Sequence, residues 1–123
     1  MARIIELKTF SDSRGDLTVI EKLLPFEIKR IYYIYNVKEL DIVRAGHRHK
    51  KTIQALISVS GSCEVFCDNS VDTETFILNN PSKCLLLNPE DWHTMTNFTE
   101  NCVLLVLASE YYDINDYIDT PYR

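Results

Sequence analysis

The sequence predicts an all-β protein that folds as one jelly-roll domain over residues 1–123. Short segments rich in β-branched and aromatic residues follow one another at a spacing of roughly ten residues. Clusters of Gly, Pro, Asn, Asp and Ser separate them. No helical pattern is interleaved with these segments, so we expect an antiparallel sandwich or barrel rather than a parallel α/β sheet.

The elements are predicted in chain order from these segments. The turn SDSRGD precedes the first strand, and GHRHKK (46–51) places two histidines at alternate positions of another. Only YYDINDYID (111–119) is able to form a short C-terminal helical turn. The other predicted strands are LTVIE (17–21), KRIYYIYN (29–36), TIQALISV (52–59), CEVFC (63–67), ETFIL (74–78), KCLLLN (83–88) and CVLLVLA (102–108).

Size and charge restrict the possible partners. With 123 residues, of which 46% are hydrophobic, the chain is long enough for one core. The formal charge of -5, with no basic run longer than HRHKK, argues against nucleic acid or an anionic membrane as a partner. The first ten residues lack the apolar segment of a secretory signal, and CVLLVLA is too short to cross a bilayer. We therefore expect a cytoplasmic protein.

The four cysteines do not carry the function. They show no CxxC spacing. In a strand, Cys63 and Cys67 share a face but lie about 13 Å apart at ~3.3 Å per residue, too far for a disulfide or a shared metal. Cys63, Cys67, Cys84 and Cys102 are predicted to be small buried hydrophobic residues.

The histidines are the candidate catalytic groups. In a strand, His47 and His49 point to the same face while Arg48 points to the other. The remaining histidine, His93, lies in NPEDWHTMTN (88–97). This arrangement resembles that of metal-binding cupins, in which two histidines and a carboxylate from one motif join a histidine from a second. A metal site, an exposed surface pair and metal-free acid–base catalysis are the alternatives.

Two features disfavour the metal site. Gln54 stands where the ligating glutamate of such a cupin would be, so the anionic ligand that suits a hard divalent cation is absent. Lys50 and Lys51 raise the local positive potential. Imidazole has an ordinary pKa of about 6.5 and both accepts and donates protons near neutrality. The sequence therefore favours proton transfer by His47 and His49, with no metal.

The residues also resemble a known family. The stretches SDSRGDLTVIE, PFEIKRIYYIYNV, RAGHRHKKTIQALISVSGSCEVFCD and NPEDWHTMTNFTENCVLLVLASEYYDINDYI are similar to those of the dTDP-4-keto-6-deoxyglucose 3,4-ketoisomerases, the WxcM-like branch of the cupins. The resemblance covers residues 4–119. It implies the cupin jelly roll, or double-stranded β-helix, in a homodimer that uses neither metal nor cofactor.

By this resemblance, the paired histidines are the catalytic residues. His47 and His49 match the histidines that shuttle a proton between C3 and C4 of the hexose, and either one is a candidate for the base. A tyrosine of RIYYIY is expected beside them, and we favour Tyr33 over Tyr32. Strand alternation places Tyr33 and Tyr35 on one face and Tyr32 on the other, so only one of these faces lines the pocket.

Four further residues are candidate substrate-binding residues. Arg14 matches the place where related cupins direct an arginine toward the nucleotide diphosphate, and it otherwise supports the turn before Gly15. Arg44 contacts the same ligand or lies in an exposed loop. Trp92 and His93 are expected in a loop at the border of the cavity, where Trp92 stacks on a base or covers the core, and His93 orients a catalytic group or bonds to the backbone.

The resemblance implies an isomerase. The expected reaction converts dTDP-4-keto-6-deoxy-D-glucose to a dTDP-3-keto-6-deoxyhexose through an enediol, as a step in making unusual deoxyamino sugars for bacterial surface glycans. A metal-dependent cupin, either a dioxygenase or a ligand-binding sensor, is the alternative from another class. A nucleotide-sugar 3,5-epimerase is a third possibility, although that reaction normally pairs a histidine with a tyrosine or lysine acid.

Overall fold

The structure is a computed structural model that describes all residues from 1 to 123. Its regular elements are β-strands and one short 3-10 helix, η1, which confirms the all-β prediction. The elements are β1 (Arg3–Glu6), β2 (Lys8–Asp12), β3 (Gly15–Val19), β4 (Arg30–Ile34), β5 (Arg44–His49), β6 (Gln54–Ser60), β7 (Cys63–Asp68), β8 (Thr73–Leu78), β9 (Lys83–Leu87), β10 (Trp92–Thr96), β11 (Val103–Ala108), η1 (Ile114–Asp116) and β12 (Tyr117–Ile118).

Two five-stranded antiparallel sheets form the body of the fold. The first sheet has the strand order β1-β9-β6-β11-β4, and the second has the order β12-β5-β10-β7-β8. The strands β2 and β3 form a separate hairpin. Side chains such as Leu56 and Leu104 of the first sheet and Val65 and Met95 of the second are buried in one apolar core. Burial of each such side chain contributes about 1.5–3 kcal/mol to stability.

A smaller apolar cluster lies on the outer face of the first sheet. Alternation along β6 directs Leu56 to the main core and Ile57 to this second cluster. Leu24 and Phe26, from the segment between β3 and β4, pack against it. The structure contains no helix with the length and apolar character needed to cross a membrane.

The cysteines are buried thiols, as predicted. All four are free. Cys63 and Cys67 lie in β7 with their side chains buried, and burial raises the pKa of each thiol to about 12. Such thiols stay protonated at neutral pH and act as small packing residues.

The structure differs from the local predictions in two places. The strands β1 and β2 were not predicted; β1 has no alternating pattern because Ile4 packs on the main core and Ile5 on the outer cluster. The stretch with Trp92 and His93 is the strand β10 and not a loop. Its inward positions are His93 and Met95, and the polar histidine conceals the strand pattern. The short C-terminal helical turn predicted within residues 111–119 is confirmed as η1.

A bulge in β5 sets the position of the histidines. His47 is opposite His93 of β10, whereas the next pair is Ala45 with Thr94, so Gly46 has no partner. Ala45 and Gly46 have φ angles of 67° and 77°, a left-handed conformation that glycine adopts without strain. The bulge lets the strand change direction just before His47.

Candidate active site

Three histidines meet on the inner face of the second sheet. His47 and His49 share a face of β5, and their ring centroids are 5.0 Å apart. His93 comes from the neighbouring β10, at 5.0 Å from His47 and 6.3 Å from His49. The two-residue spacing and the antiparallel pairing of β5 with β10 therefore bring all three histidines of the chain together.

A cavity of about 370 Å³ opens beside this cluster. Its volume lies within the range of small-molecule sites, roughly 300–1,000 Å³. It lies where β4 of the first sheet faces β5 and β10 of the second. The polar and aromatic side chains that line it are Arg30, Tyr32, Arg44, His47, Tyr112 and Tyr117.

Burial keeps the histidines neutral. It lowers the pKa of His49 to about 4 and that of His93 to about 3. Burial also lowers the pKa of His47, against a smaller opposite effect from Asp119. A neutral imidazole has a free nitrogen lone pair, so these side chains are able to accept a proton near neutral pH.

The tautomer of His93 follows from its hydrogen bond. Its Nδ1 lies 3.0 Å from the backbone carbonyl oxygen of Asp91. A carbonyl oxygen only accepts, so Nδ1 carries the proton and Nε2 carries the lone pair. The Nε2 atoms of His93 and His49 are both buried without a hydrogen-bond partner. The site therefore holds two buried ring nitrogens that make no hydrogen bond. Their burial costs free energy, which a hydrogen bond from a polar ligand would offset.

Tyr32 is the tyrosine of β4 that lines the site. Its hydroxyl oxygen accepts a hydrogen bond from the side-chain amide of Gln54 at 3.0 Å. Burial and the neighbouring Tyr117 raise its pKa, although Arg30 and Gln54 act in the opposite direction. The phenol is therefore protonated, and its hydrogen is available to a ligand.

Tyr33, the tyrosine favoured from the sequence, does not line this cavity. It is paired with Leu105 of β11 and is 61% exposed on the outer face of the first sheet. Tyr32, one residue earlier, is paired with Val106 and faces the core side. The prediction that Tyr32 and Tyr33 lie on opposite faces of β4 is confirmed. The face that lines the cavity is that of Tyr32 and not that of Tyr33.

Arg44 lines the cavity from the start of β5, whereas Arg14 lies outside it. Arg14 is in the turn between β2 and β3, where its guanidinium forms an exposed ion pair with Asp12 at 2.7 Å. Trp92 is half-buried at the start of β10 and does not line the cavity. Of the predicted residues, the structure brings together His47, His49, His93 and Arg44.

Sequence reasoning missed Tyr117 and Arg30. The ring centroid of Tyr117 lies 4.8 Å from that of His47 and 4.7 Å from that of His49. Arg30 donates a hydrogen bond from Nη2 to the Tyr117 hydroxyl at 3.4 Å. Alternation places Arg30 on the same face of β4 as Tyr32, but the sequence did not show that this face lines the cavity. Tyr117 arrives through the pairing of β12 with β5, a long-range contact that no local pattern signals.

The donor set does not match a metal site. No group of three or more His, Cys, Asp and Glu side chains is placed to bind a metal ion. Gln54, the residue at the position of a cupin's carboxylate ligand, is instead hydrogen-bonded to Tyr32. The arrangement fits a pocket in which neutral imidazoles and phenols contact an organic ligand.

The two packed sheets and the inward-facing histidine cluster define a cupin-like protein with a small-molecule pocket. Residues 1–122 match the family described as FdtA: WxcM-like, C-terminal. The chain belongs to this family.

Similar proteins of known activity support the same assignment. The TDP-4-oxo-6-deoxy-α-D-glucose-3,4-oxoisomerase of Aneurinibacillus thermoaerophilus is 43% identical over 118 residues, which cover 94% of this chain and 84% of the relative. A 3,4-ketoisomerase of Helicobacter canadensis has a crystal structure that is 40% identical, with a TM-score of 0.91 over 97% of this chain and 90% of its own.

A third similar protein was crystallised with a sugar nucleotide. It is a mutant of the 3,4-ketoisomerase of Thermoanaerobacterium thermosaccharolyticum, in complex with TDP-4-keto-6-deoxyglucose. It is 45% identical to this chain, with a TM-score of 0.92 over 97% of this chain and 87% of that one.

Proposed function

We propose that this protein is a sugar-nucleotide 3,4-ketoisomerase that converts dTDP-4-keto-6-deoxy-D-glucose to a dTDP-3-keto-6-deoxyhexose. The observation that carries the proposal is the pair of neutral imidazoles, His47 and His49, beside a cavity of about 370 Å³. Membership of a family with relatives of this activity supports it. We place the step in the synthesis of unusual deoxyamino sugars.

The reaction moves a carbonyl group between neighbouring carbons. A neutral imidazole removes the proton from C3, which is acidic because the C4 carbonyl stabilises the resulting charge. The electron pair of the C–H bond forms the C3–C4 double bond, and the C4 oxygen takes up a proton to give an enediol. Loss of the C3 hydroxyl proton then restores a carbonyl at C3 while C4 accepts a proton. No redox cofactor is needed because the sugar is oxidised at one carbon and reduced at the next.

Tyr32 is placed to stabilise the intermediate. Its oxygen already accepts a hydrogen bond from Gln54, so its own hydrogen is free to donate to an oxygen of the enediolate. A preorganised donor in a site with little water stabilises developing charge more strongly than water does. His93, with its lone pair on the buried Nε2, is placed to accept a hydrogen bond from a sugar hydroxyl.

Arginines supply the positive charge for the nucleotide diphosphate. The chain carries a formal charge of -5, yet Arg30 and Arg44 both line the cavity. A guanidinium binds two phosphate oxygens at once through its planar fork. We assign Arg44 to the diphosphate. Arg14 lies outside the cavity of its own chain, so we propose that it serves the cavity of a partner subunit in a homodimer.

The exposed face of β4 suits such a homodimer. Ile31 and Tyr33 of β4, with Tyr35 directly after the strand, present an apolar strip, and each is more than half exposed. We propose that a second copy covers this strip. We also place the enzyme in the cytoplasm, because its four free cysteines suit a reducing compartment.

Product analysis tests the reaction. The protein is treated with a chelator and incubated in D₂O with dTDP-4-keto-6-deoxy-D-glucose, and the product is examined by NMR. We expect a carbonyl at C3 and deuterium at C4. Absence of the 3-keto product would refute the ketoisomerase, and activity that returns only after metal is added would favour a metal-dependent cupin.

The histidines are tested by single substitutions. His47→Asn and His49→Asn each remove an imidazole and are expected to lower kcat by about 10²–10⁴-fold, the usual contribution of a general acid or base. A control variant, Lys83→Gln, changes a polar side chain at the start of β9, outside the cavity. It should keep full activity. Undiminished turnover in either histidine variant would contradict the proposed mechanism.

A further inference from the structure

Residues 117–123 run from the site to a buried carboxylate on the opposite side of β5. Tyr117 and Ile118 form β12, which pairs with His49 and Arg48 of β5. Beyond β12, the ring of Tyr122 packs against the Arg48 guanidinium at 4.3 Å. Arg48 alternates with His47 and His49 and therefore faces away from them. The segment thus contacts both faces of the catalytic strand.

Asp116, directly before this segment, holds the start of the segment in place through hydrogen bonds. Its backbone carbonyl accepts a hydrogen bond from the Lys50 amide at 2.9 Å. Its carboxylate accepts one from the Lys51 amide at 2.9 Å and another from the Thr52 hydroxyl. Asp116 itself is 5% exposed. These bonds tie the start of β12 to the residues that directly follow β5.

Arg123 holds the far end of the segment in place through an ion pair. Its Nε and Nη2 atoms donate to the two carboxylate oxygens of Asp68, each at 3.0 Å. Asp68 is 2% exposed, and the hydrogen bond from Arg123 holds the pKa of its carboxyl below the usual range. The Tyr122 hydroxyl adds a bond to the Glu90 carbonyl at 2.8 Å. A bidentate pair with a buried carboxylate restrains geometry more strongly than an exposed surface pair.

Only one side chain of this segment reaches the cavity, and that is Tyr117. Its ring packs edge-on against both catalytic imidazoles. Its hydroxyl oxygen accepts from Arg30, which leaves the phenolic hydrogen free to donate. A hydroxyl donor beside two proton-transferring groups is suited to an oxygen that gains negative charge as the C–H proton leaves.

We infer that Tyr117 is a further catalytic residue, whose hydroxyl donates a hydrogen bond to the substrate oxygen that becomes an enediolate. We also infer that Arg123 is a positioning residue, which acts through β12 to hold Tyr117 against His47 and His49. This inference rests on the proposed ketoisomerase function. It accounts for a bidentate ion pair between the half-exposed Arg123 and the buried Asp68, neither of which lines the cavity.

A double-mutant cycle tests the coupling. Tyr117→Phe is expected to lower kcat by about 10–100-fold with little change in KM, the effect of losing one donor to a developing oxyanion. Arg123→Gln is expected to lower kcat by about 3–10-fold, and Arg123→Lys should recover part of the loss. If Arg123 acts through Tyr117, Arg123→Gln has no further effect on kcat in the Tyr117→Phe background.

Lys83→Gln is the control for the loss of one positive charge. Lys83 also forms a side-chain hydrogen bond, to Asn79 at 3.2 Å, outside the cavity. The Lys83→Gln variant should leave kcat unchanged. An equal loss of kcat from Arg123→Gln in both backgrounds would overturn the positioning role, and full activity of Tyr117→Phe would overturn the catalytic role.

Amide hydrogen exchange tests the positioning role of Arg123 without any assay of activity. We expect Arg123→Gln to raise the exchange rates in β12 and at the end of β5 by about fivefold or more, because the anchor of the segment is lost. Amides of β9 should keep their rates. Unchanged exchange in β12 would refute the positioning role, whereas absence of 3-keto product from the unmodified protein would refute only the proposed reaction and the catalytic role of Tyr117.

Discussion

At the scale of single residues, the two adjacent tyrosines of β4 differ in the roles that we propose for them. Tyr32 lines the cavity and Tyr33 is 61% exposed on the other face. We expect Tyr32→Phe to lower kcat by about 10–100-fold, because one hydrogen-bond donor to the intermediate is lost. Tyr33→Phe is the matched control and should keep kcat. The measurement is the initial rate of 3-keto product formation, and equal losses in the two variants would contradict the assignment.

The lowered pKa values of the histidines predict the pH dependence of the rate. Burial lowers the pKa of His47 below its ordinary value and that of His49 to about 4. The acid limb of the kcat/KM profile should therefore reach half its maximum below pH ~6.5, where an unperturbed imidazole would titrate. The profile is measured in buffers of constant ionic strength. A half-maximum at or above pH ~6.5 would contradict the buried, neutral pair.

The same burial predicts a loss of stability in acid. In the unfolded chain His93 takes up a proton as the pH falls through about 6.5, whereas the folded protein resists protonation of His93 down to a pKa of about 3. The unfolded state thus binds more protons in this window, and the free energy of unfolding falls as the pH falls. Urea unfolding at pH 7 and pH 5 measures the slope. The His93→Gln variant should lose less unfolding free energy between pH 7 and pH 5 than the unmodified protein. An equal loss in both proteins would show that His93 is not the source of the pH dependence.

Several of these residues were predictable because their positions follow from local periodicity. The two-residue spacing of His47 and His49 fixes a shared face in any strand. The same rule separated Tyr32 from Tyr33 but did not reveal which of them is inside, because that depends on which face of β4 meets the second sheet. Tyr117 depends on a pairing between distant segments, and no spacing in the sequence encodes it.

At the scale of elements, the bulge in β5 links backbone conformation to the site. Gly46 has a φ of 77°, and a Cβ there would meet no other atom, so only the backbone conformation favours glycine. We expect Gly46→Ala to lower the free energy of unfolding by about 1 kcal/mol. It should also lower kcat, because relaxation of the bulge shifts His47 relative to His93.

Lys22→Gly is the control for the bulge. Lys22 is an exposed residue with a φ of 58° outside the cavity, so the substitution makes the opposite exchange at another left-handed position. It should not reduce kcat. Chemical denaturation gives the stabilities and product formation gives the rates. A Gly46→Ala variant with unchanged stability and rate would show that the bulge does not constrain the site.

The strands were predictable from the sequence where their buried positions carry apolar residues. In β7, Cys63, Val65 and Cys67 alternate with less buried residues, and the strand was identified with only its last residue missing. In β10 the inward residues include a histidine, which sequence patterns treat as polar. The strand β10 was therefore not recognised, since one of its core-facing side chains is the polar histidine of the site.

At the scale of the whole molecule, the arrangement of surfaces favours a dimer. The outer face of the first sheet is covered over β6 and β11 by Ile20, Leu24 and Phe26 but remains open along β4. The hairpin of β2 and β3 exposes Phe10 and Leu17, each more than half, next to the charged tip that carries Arg14. Apolar strips of this kind are a common mark of protein–protein contact surfaces. A homodimer would cover β4 and could bring Arg14 to a second cavity.

Sedimentation tests the proposed dimer. The protein should sediment with about twice the chain mass of 14.3 kDa. Tyr33→Lys places a charge on the open strip and should weaken association by about 100-fold or more, the effect of losing a central interface residue. Ile77→Lys is the matched control, because Ile77 is 54% exposed in β8 of the second sheet, away from the strip.

The kinetic consequence separates a functional dimer from an incidental one. If Arg14 serves the partner's cavity, dissociation by Tyr33→Lys raises KM for the sugar nucleotide, and Arg14→Gln raises KM in a protein that remains dimeric. The two effects should not add, because a monomer has already lost the partner's arginine. A monomeric unmodified protein with full activity would refute the dimer, and additive effects would place Arg14 outside the shared site.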